Sequence, residues 1–174
     1  VLIHGWPASQ QSWQAISAAL QEAGHRVIAY DRRGFGDSGQ PAEGYDYDTF
    51  AADLDDLLTA LDLVDAVLVG FSMGGGEVAR YVANYGTARI TGAVFVSAIT
   101  PCLDASLPDN PEGGFTPEAA AGMQAGLRAD PEGFLTSFLT NFHSVPGDSE
   151  PRLMVPREQV SAAIEVAKQA SLDA

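Results

Sequence analysis

Gly70-Phe71-Ser72-Met73-Gly74 is the segment whose residue types and spacing could do chemistry. It follows the apolar run Ala66-Val67-Leu68-Val69 and opens a helical-looking stretch, Glu77-Val78-Ala79-Arg80-Tyr81-Val82-Ala83. A serine between two such glycines, on a strand-to-helix turn, can present its hydroxyl above a sheet edge as a nucleophile. The turn is sharp, and side chains two positions to either side of the serine collide in it. Gly70 and Gly74 are therefore the residues it needs. The following helix aims the positive end of its dipole at the serine and favours a negative charge developing there. Gly74-Gly75-Gly76 points the same way. Glycine inside a helix costs about 1 kcal/mol relative to alanine, so the run implies close backbone approach.

A serine hydroxyl is a poor nucleophile until a base takes its proton. The tetrahedral intermediate also needs two donors aimed at its oxyanion. In a strand–turn–helix site these are the backbone N–H after the nucleophile and one from the loop after an earlier strand. Here they are the amides of Met73 and, in His4-Gly5-Trp6-Pro7, of Trp6. Trp6 can line the pocket as well.

The base is harder to place, because the histidines are His4, His25 and His143. His4 sits in the Trp6 loop, where its ring is expected to brace the loop by hydrogen bonds. His25 follows a helix end and is expected at the surface on the opposite rim. His143 is the remaining candidate base. The order Ser72, Asp104, His143 fits the Ser–acid–His order of such sites, yet Asn141-Phe142-His143-Ser144 closes a helix instead of following a core strand. Asp31 and Arg33 are expected to pin a glycine-rich loop. No metal-ligand cluster or phosphate-loop pattern is seen, so no metal and no cofactor are expected.

The elements that must position these residues follow from periodicity. Val1-Leu2-Ile3 reads as a buried strand end. Trp13, Ile16, Leu20 and Ala23 recur at helical spacing, with Gly24 placed to end that helix. Residues 26–30 read as a second strand, and Asp31 to Gly39 as the glycine-rich loop. Asp48 is expected to cap a helix with Phe50, Ala51, Leu54, Leu57, Leu58 and Leu61 on its apolar face. The Ser72 strand and helix follow, Gly86 stops the helix, and residues 93–96 form a fourth strand. Strands alternating with helices predict a parallel sheet covered on both faces, with ligands at the carboxyl ends of its strands. The remainder changes character. Pro101, Pro108, Pro111 and Pro117 break a loop-rich stretch, and no strand pattern follows residue 97. Thr116, Pro117 and Glu118 start a helix. Phe134, Leu135, Phe138, Leu139 and Phe142 form one apolar stripe, and Val160, Ala163, Ile164 and Ala167 another. This part reads as a helical lid, with Phe71, Phe134 and Phe138 joining Trp6 as candidate pocket walls.

The chain has 174 residues, enough for one domain with a real core. With 9 Lys+Arg against 23 Asp+Glu the net charge is -14, which disfavours nucleic acid and anionic membrane as partners. Cys102 is the lone cysteine, so no internal disulfide can form. No secretory signal and no transmembrane run of 18 apolar residues is visible, and the expected compartment is the cytoplasm. The oligomeric state is not readable.

Three stretches resemble a known family: His4-Gly5-Trp6-Pro7, Tyr30-Asp31-Arg32-Arg33-Gly34-Phe35-Gly36-Asp37-Ser38, and Gly70-Phe71-Ser72-Met73-Gly74-Gly75-Gly76-Glu77-Val78. The family is the α/β-hydrolase fold, and in detail its cofactor-free haloperoxidase (perhydrolase) and arylesterase branch. Val96-Ser97-Ala98, Thr100-Pro101 and Asp109-Asn110-Pro111-Glu112-Gly113 are similar too. The resemblance implies a partial α/β-hydrolase fold: a parallel sheet of about four strands in residues 1–98 and a helical cap in 99–174. It implies a Ser-His-Asp esterase for small-molecule esters, with Ser72 as nucleophile and the Trp6 and Met73 amides as oxyanion hole. It also implies a side activity. Hydrogen peroxide in place of water would take the acyl group as a peracid, which then oxidises halide without haem or metal.

Family members continue with two more core strands that carry the acid and base, and two amino-terminal strands also lack a counterpart here. The expectation is a fragment whose catalytic Asp and His lie outside this chain. It should be nearly inactive alone, with two open parallel edges that favour aggregation or dimerisation. Two rivals stand beside the ester reading. One is another Ser-dependent hydrolase acting on lactones or C–C bonds; the other is a non-catalytic ligand-binding protein on the same fold.

Overall fold

The structure, a computed structural model, describes residues 1–99, 102–110, 113–146 and 152–174. Thr100, Pro101, Pro111 and Glu112, which belong to the family-like stretch, lie outside the described residues. Strand β1 is Leu2–Ile3. A 3-10 turn, Gln10–Trp13, leads into helix α1, Gln14–Glu22, and strand β2 is Ala29–Tyr30. Helix α2, Tyr47–Ala60, strand β3, Ala66–Phe71, helix α3, Met73–Tyr85, and strand β4, Ile90–Val96, complete the sheet part. Helices α4, Pro117–Ala129, and α5, Pro131–Phe142, follow. Strands β5, Ser144–Val145, and β6, Arg152–Leu153, precede helix α6, Arg157–Ala167.

The sheet order is β2-β1-β3-β4 and every pairing is parallel. The chain moves from β1 to β2 on one side, then crosses back over β1 to reach β3 on the other. The direction of winding thus reverses between β1 and β3. In an open parallel sheet that reversal leaves a crevice at the carboxyl ends of the two strands, where ligands bind. The loop at His4 leaves β1 there, and Ser72 leaves β3 beside it. The β1–β3 register sets Ile3 opposite Gly70.

The main core lies where α2 and α3 meet the sheet. Ile3, Leu54, Leu58, Leu68 and Val78 are fully buried there, and Tyr81 almost so. Gly86 ends α3 with φ of 75°, a left-handed conformation that glycine adopts without a Cβ penalty. A second cluster, Leu135, Leu139 and Ala167, joins α5 to α6, and Trp6 and Phe138 pack against it. The apolar stripes of α5 and α6 therefore meet each other, and the β1 loop reaches up to them.

Several expectations are corrected. The cap of α2 is Asp46, whose carboxylate accepts from the Thr49 N–H at 2.9 Å. Asp48 sits in the first turn and pairs with Arg80 instead. In α1 only the preceding Trp13 is buried, while Ile16 is 49% exposed. The second strand is shorter and the fourth longer than residues 26–30 and 93–96. Strands do follow residue 97: β5 and β6 pair antiparallel. Two-residue strands carry no readable alternation, which is why periodicity missed them.

Among the described residues β4 pairs with β3 alone. Val94, Phe95 and Val96 are 46, 48 and 37% exposed. Successive strand residues face opposite sides, so both faces of β4 are open as well as its edge. An exposed apolar edge strand favours edge-to-edge association. Sedimentation velocity is expected to show concentration-dependent association that Phe95→Lys reduces. Identical profiles for the two proteins would contradict this. No helix among the described residues is long and apolar enough to cross a membrane.

Candidate active site

Ser72 lies between the end of β3 and the start of α3 with φ of 51° and ψ of -121°. Few non-glycine residues occupy such a conformation, and it persists only where the surroundings enforce it. Here the backbone is held on both sides. Ser72 N–H donates to Val96 O at 3.0 Å, and Ser72 O accepts from Gly75 N–H at 3.0 Å and Ile99 N–H at 3.2 Å. The Ser72 side chain makes no capping bond to α3, so its hydroxyl stays free of the helix it precedes.

The flanking glycines are explained by space. A Cβ on Gly70 would stand 2.5 Å from Gly74 O, and one on Gly74 would stand 2.5 Å from Ile3 O and 2.8 Å from His4 O. All three obstacles are backbone atoms, which cannot swing aside. The β1 loop meets the serine directly as well. A Cβ on Gly5 would lie 2.9 Å from the Ser72 Cβ. The residue before Trp6 thus touches Ser72, and the residue after Met73 touches the end of β1. The Trp6–Pro7 peptide bond is cis.

His4 is fully buried and both its ring nitrogens are used. Nδ1 donates to Gly5 O at 2.8 Å, and Nε2 accepts from the Arg32 N–H at 3.1 Å. Burial holds its pKa down at about 4. A neutral ring with both nitrogens occupied braces the loop, as the sequence predicted, and has no lone pair left for Ser72. This has a pH consequence. His4 in the unfolded chain titrates near 6.5 and in the folded protein near 4. A lowered histidine pKa means that the unfolded state binds the proton first. The full stability is present above pH 6.5 and is lost as pH falls toward 4, by about 3 kcal/mol. Urea unfolding across that window is expected to show a slope that His4→Gln flattens. Parallel profiles for the two proteins would exclude His4 as the source.

His25 is exposed, as expected. His143 caps the end of α5, and its Nδ1 donates to Leu139 O at 2.8 Å. Asp104 is turned into its own loop. Its Oδ1 accepts from Ser106 Oγ at 2.6 Å and Ser106 N–H at 2.8 Å, and these bonds hold the carboxyl below its usual range. Among the described residues no hydrogen bond joins Ser72, Asp104 and His143. Asp31 does pin the glycine-rich loop, accepting from the N–H groups of Gln10 and Asp37. Arg33 anchors that loop to α2 through a two-bond pair with Asp53 at 2.5 and 2.6 Å.

Of the candidate walls, Trp6 lines a cavity of about 270 Å³ with Phe115, Met123, Leu127 and Arg128. Phe138 meets the Trp6 ring edge-on at 5.2 Å between centres, and Phe134 stacks on Phe138 at 6.4 Å. Phe71 meets Trp13 edge-on at 6.4 Å and lies against Gly5, where a Cβ would stand 3.2 Å from its ring. No group of three or more His, Cys, Asp or Glu that could hold a metal exists among the described residues.

Sequence reading missed one feature. Arg32 and Glu77 form an ion pair at 2.5 Å with both side chains 1% exposed, and the Tyr30 hydroxyl donates to the same carboxylate. Burial is the largest influence on Glu77 and pushes its pKa up. A signal was available: Glu77 falls on the stripe of α3 that also carries Gly74, Val78 and Tyr81, all buried.

A parallel sheet that reverses at β1, with a strained serine at the neighbouring strand end, defines an α/β-hydrolase architecture. The chain belongs to the alpha/beta hydrolase fold family, whose model matches residues 1–172. It is 55% identical over 113 residues to a non-heme chloroperoxidase of Kitasatospora aureofaciens, a match covering 65% of this chain and 41% of that protein. It is 43% identical over 110 residues to a bifunctional esterase/perhydrolase of Acinetobacter calcoaceticus, covering 63% of this chain and 40% of that one. The crystal structure of a bromoperoxidase from Bacillus anthracis superposes with a TM-score of 0.91 at 45% identity, covering 99% of this chain and 61% of that one. The chain therefore spans 40–61% of the length of these relatives.

Proposed function

We propose that Ser72 is the nucleophile of a carboxylic ester hydrolase that works through an acyl-serine intermediate. The observation that carries this reading is the enforced backbone of Ser72 at the β1–β3 reversal, with φ of 51° and the Gly5–Trp6 loop against it. Ser72 Oγ attacks the ester carbonyl carbon and its proton passes to a base. The carbonyl oxygen becomes an oxyanion that accepts from the Trp6 and Met73 N–H groups, with the start of α3 adding its positive dipole. The alcohol leaves, and water then releases the carboxylic acid.

The base and acid belong to parts of the protein outside this chain. The two ring bonds of His4, the lack of a hydrogen bond between Ser72 and His143 among the described residues, and the 41% share of the chloroperoxidase that is matched support that assignment. Trp6, with Phe115 and Met123, supplies an apolar wall for a small ester, and Phe138 and Phe134 back the Trp6 ring. The chloroperoxidase and esterase/perhydrolase relatives support perhydrolysis as a side activity, in which peroxide replaces water and the peracid formed oxidises halide.

Incubation with p-nitrophenyl acetate followed by peptide mass mapping tests the reading. Acetyl ester on Ser72, absent in Ser72→Ala, is the expected result. Reversible binding of small apolar esters with no adduct overturns it and leaves the ligand-binding alternative, which the missing Ser72–histidine bond would then favour.

A further inference from the structure

The two segments that would donate to the oxyanion belong to different elements, and one residue ties them together, by its backbone on one side and its side chain on the other. Arg32 follows the carboxyl end of β2, next to β1 in the sheet. Its backbone N–H holds His4 Nε2 at 3.1 Å, and His4 Nδ1 holds Gly5 O at 2.8 Å. These bonds fix the loop that carries the Trp6 amide. The guanidinium reaches α3, where Nε donates to Glu77 Oε2 at 2.5 Å. Glu77 lies one helical turn beyond Met73. Its other oxygen accepts from the Tyr30 hydroxyl.

The guanidinium is enclosed. Nη1 and Nη2 have no protein hydrogen-bond partner among the described residues, and the guanidinium carbon stands 4.2 Å from the centre of the Phe50 ring. Such a pair is an uneconomical way to fill a core, because apolar residues of similar volume often give equal or greater stability. What apolar residues cannot supply is a directional link from the His4 loop to the first turns of α3.

We propose that Arg32 and Glu77 are positioning residues whose ion pair sets the Trp6 N–H relative to the Met73 N–H around Ser72. The proposal rests on the reading of Ser72 as nucleophile. It has consequences because a misplacement of about 1 Å can cost on the order of 10²-fold in rate.

A serine site without its base keeps the reactivity that comes from its oxyanion hole and binding. The rate at which Ser72 reacts with an alkyl fluorophosphonate therefore reads the hole in this chain directly. In that reaction Oγ bonds to phosphorus, fluoride leaves and the hydroxyl proton goes to solvent. Labelling is followed by intact mass and peptide mapping for the wild type, Ser72→Ala, Glu77→Gln and the double variant Arg32→Met/Glu77→Met. The expected result is a maximal labelling rate lower by about tenfold or more in Glu77→Gln, with the half-saturating probe concentration unchanged. The double variant is expected to unfold at the wild-type midpoint or above, yet to label as slowly as Glu77→Gln.

Wild-type labelling in a folded double variant overturns the proposal alone and makes the pair a filler of the core. Should the double variant not fold, Glu77→Gln decides by itself, and an unchanged maximal rate overturns the proposal. Absence of Ser72 labelling in the wild type overturns the nucleophile reading, and the positioning role falls with it.

Discussion

Turnover of p-nitrophenyl acetate by this chain is expected to lie at least about a thousandfold below that of a relative with serine, base and acid assembled, since losing a triad member typically costs on the order of 10⁴ or more. An imidazole has two nitrogens, and to serve Ser72 it must turn a lone pair toward Oγ while its other nitrogen is oriented by an acid. His4 has spent both nitrogens on Gly5 and Arg32. His25 is on the surface. His143 places its Nδ1 on the Leu139 carbonyl of its own helix and keeps its Nε2 lone pair, but among the described residues no hydrogen bond joins it to Ser72, and Asp104 is engaged by Ser106. Steady-state kinetics with the purified chain and with Ser72→Ala check this. Turnover at ordinary enzyme rates that Ser72→Ala abolishes would show that a base is present. His143→Gln would then identify it or remove it from consideration.

What was legible in the sequence had local causes. The Ser72 turn could be read because its steric requirement falls within five residues, and the contacts that Gly70 and Gly74 avoid involve Gly74 itself and the adjacent β1 strand. Bracing by His4 could be read because a histidine beside a glycine in a tight loop has few other uses. The caps at Thr116 and Gly86 could be read from chemistry at single positions. The helix α2 cap was misplaced by two residues because Asp46 and Asp48 both suit that role, and only the geometry shows that Asp46 reaches the Thr49 N–H. The contact of the Phe71 ring with Trp13 could not be read, because Trp13 is far off in sequence. The Arg32–Glu77 pair escaped because its partners stand 45 residues apart, and charged residues are ordinarily found on solvated faces.

That pair also gives the largest stability change expected from a single substitution. Glu77→Leu should lower the free energy of unfolding by about 3–5 kcal/mol, because it leaves the Arg32 charge buried and uncompensated. The Tyr30 hydroxyl loses its acceptor in the same step. The cation–π contact with Phe50 at 4.2 Å offsets part of this loss without replacing a carboxylate. Arg80–Asp48 supplies the internal comparison. It makes two hydrogen bonds, at 2.7 and 2.8 Å, but its side chains are 46 and 61% exposed. Solvent screens exposed pairs, and their contribution is small. Asp48→Asn should therefore leave the urea midpoint close to wild type, whereas Glu77→Leu shifts it strongly at an unchanged slope. Equal, small shifts for both variants would mean that water reaches the Arg32 guanidinium when Glu77 is removed. In that case the pair is not sealed, and its link between the His4 loop and α3 is looser than the 2.5 Å contact implies.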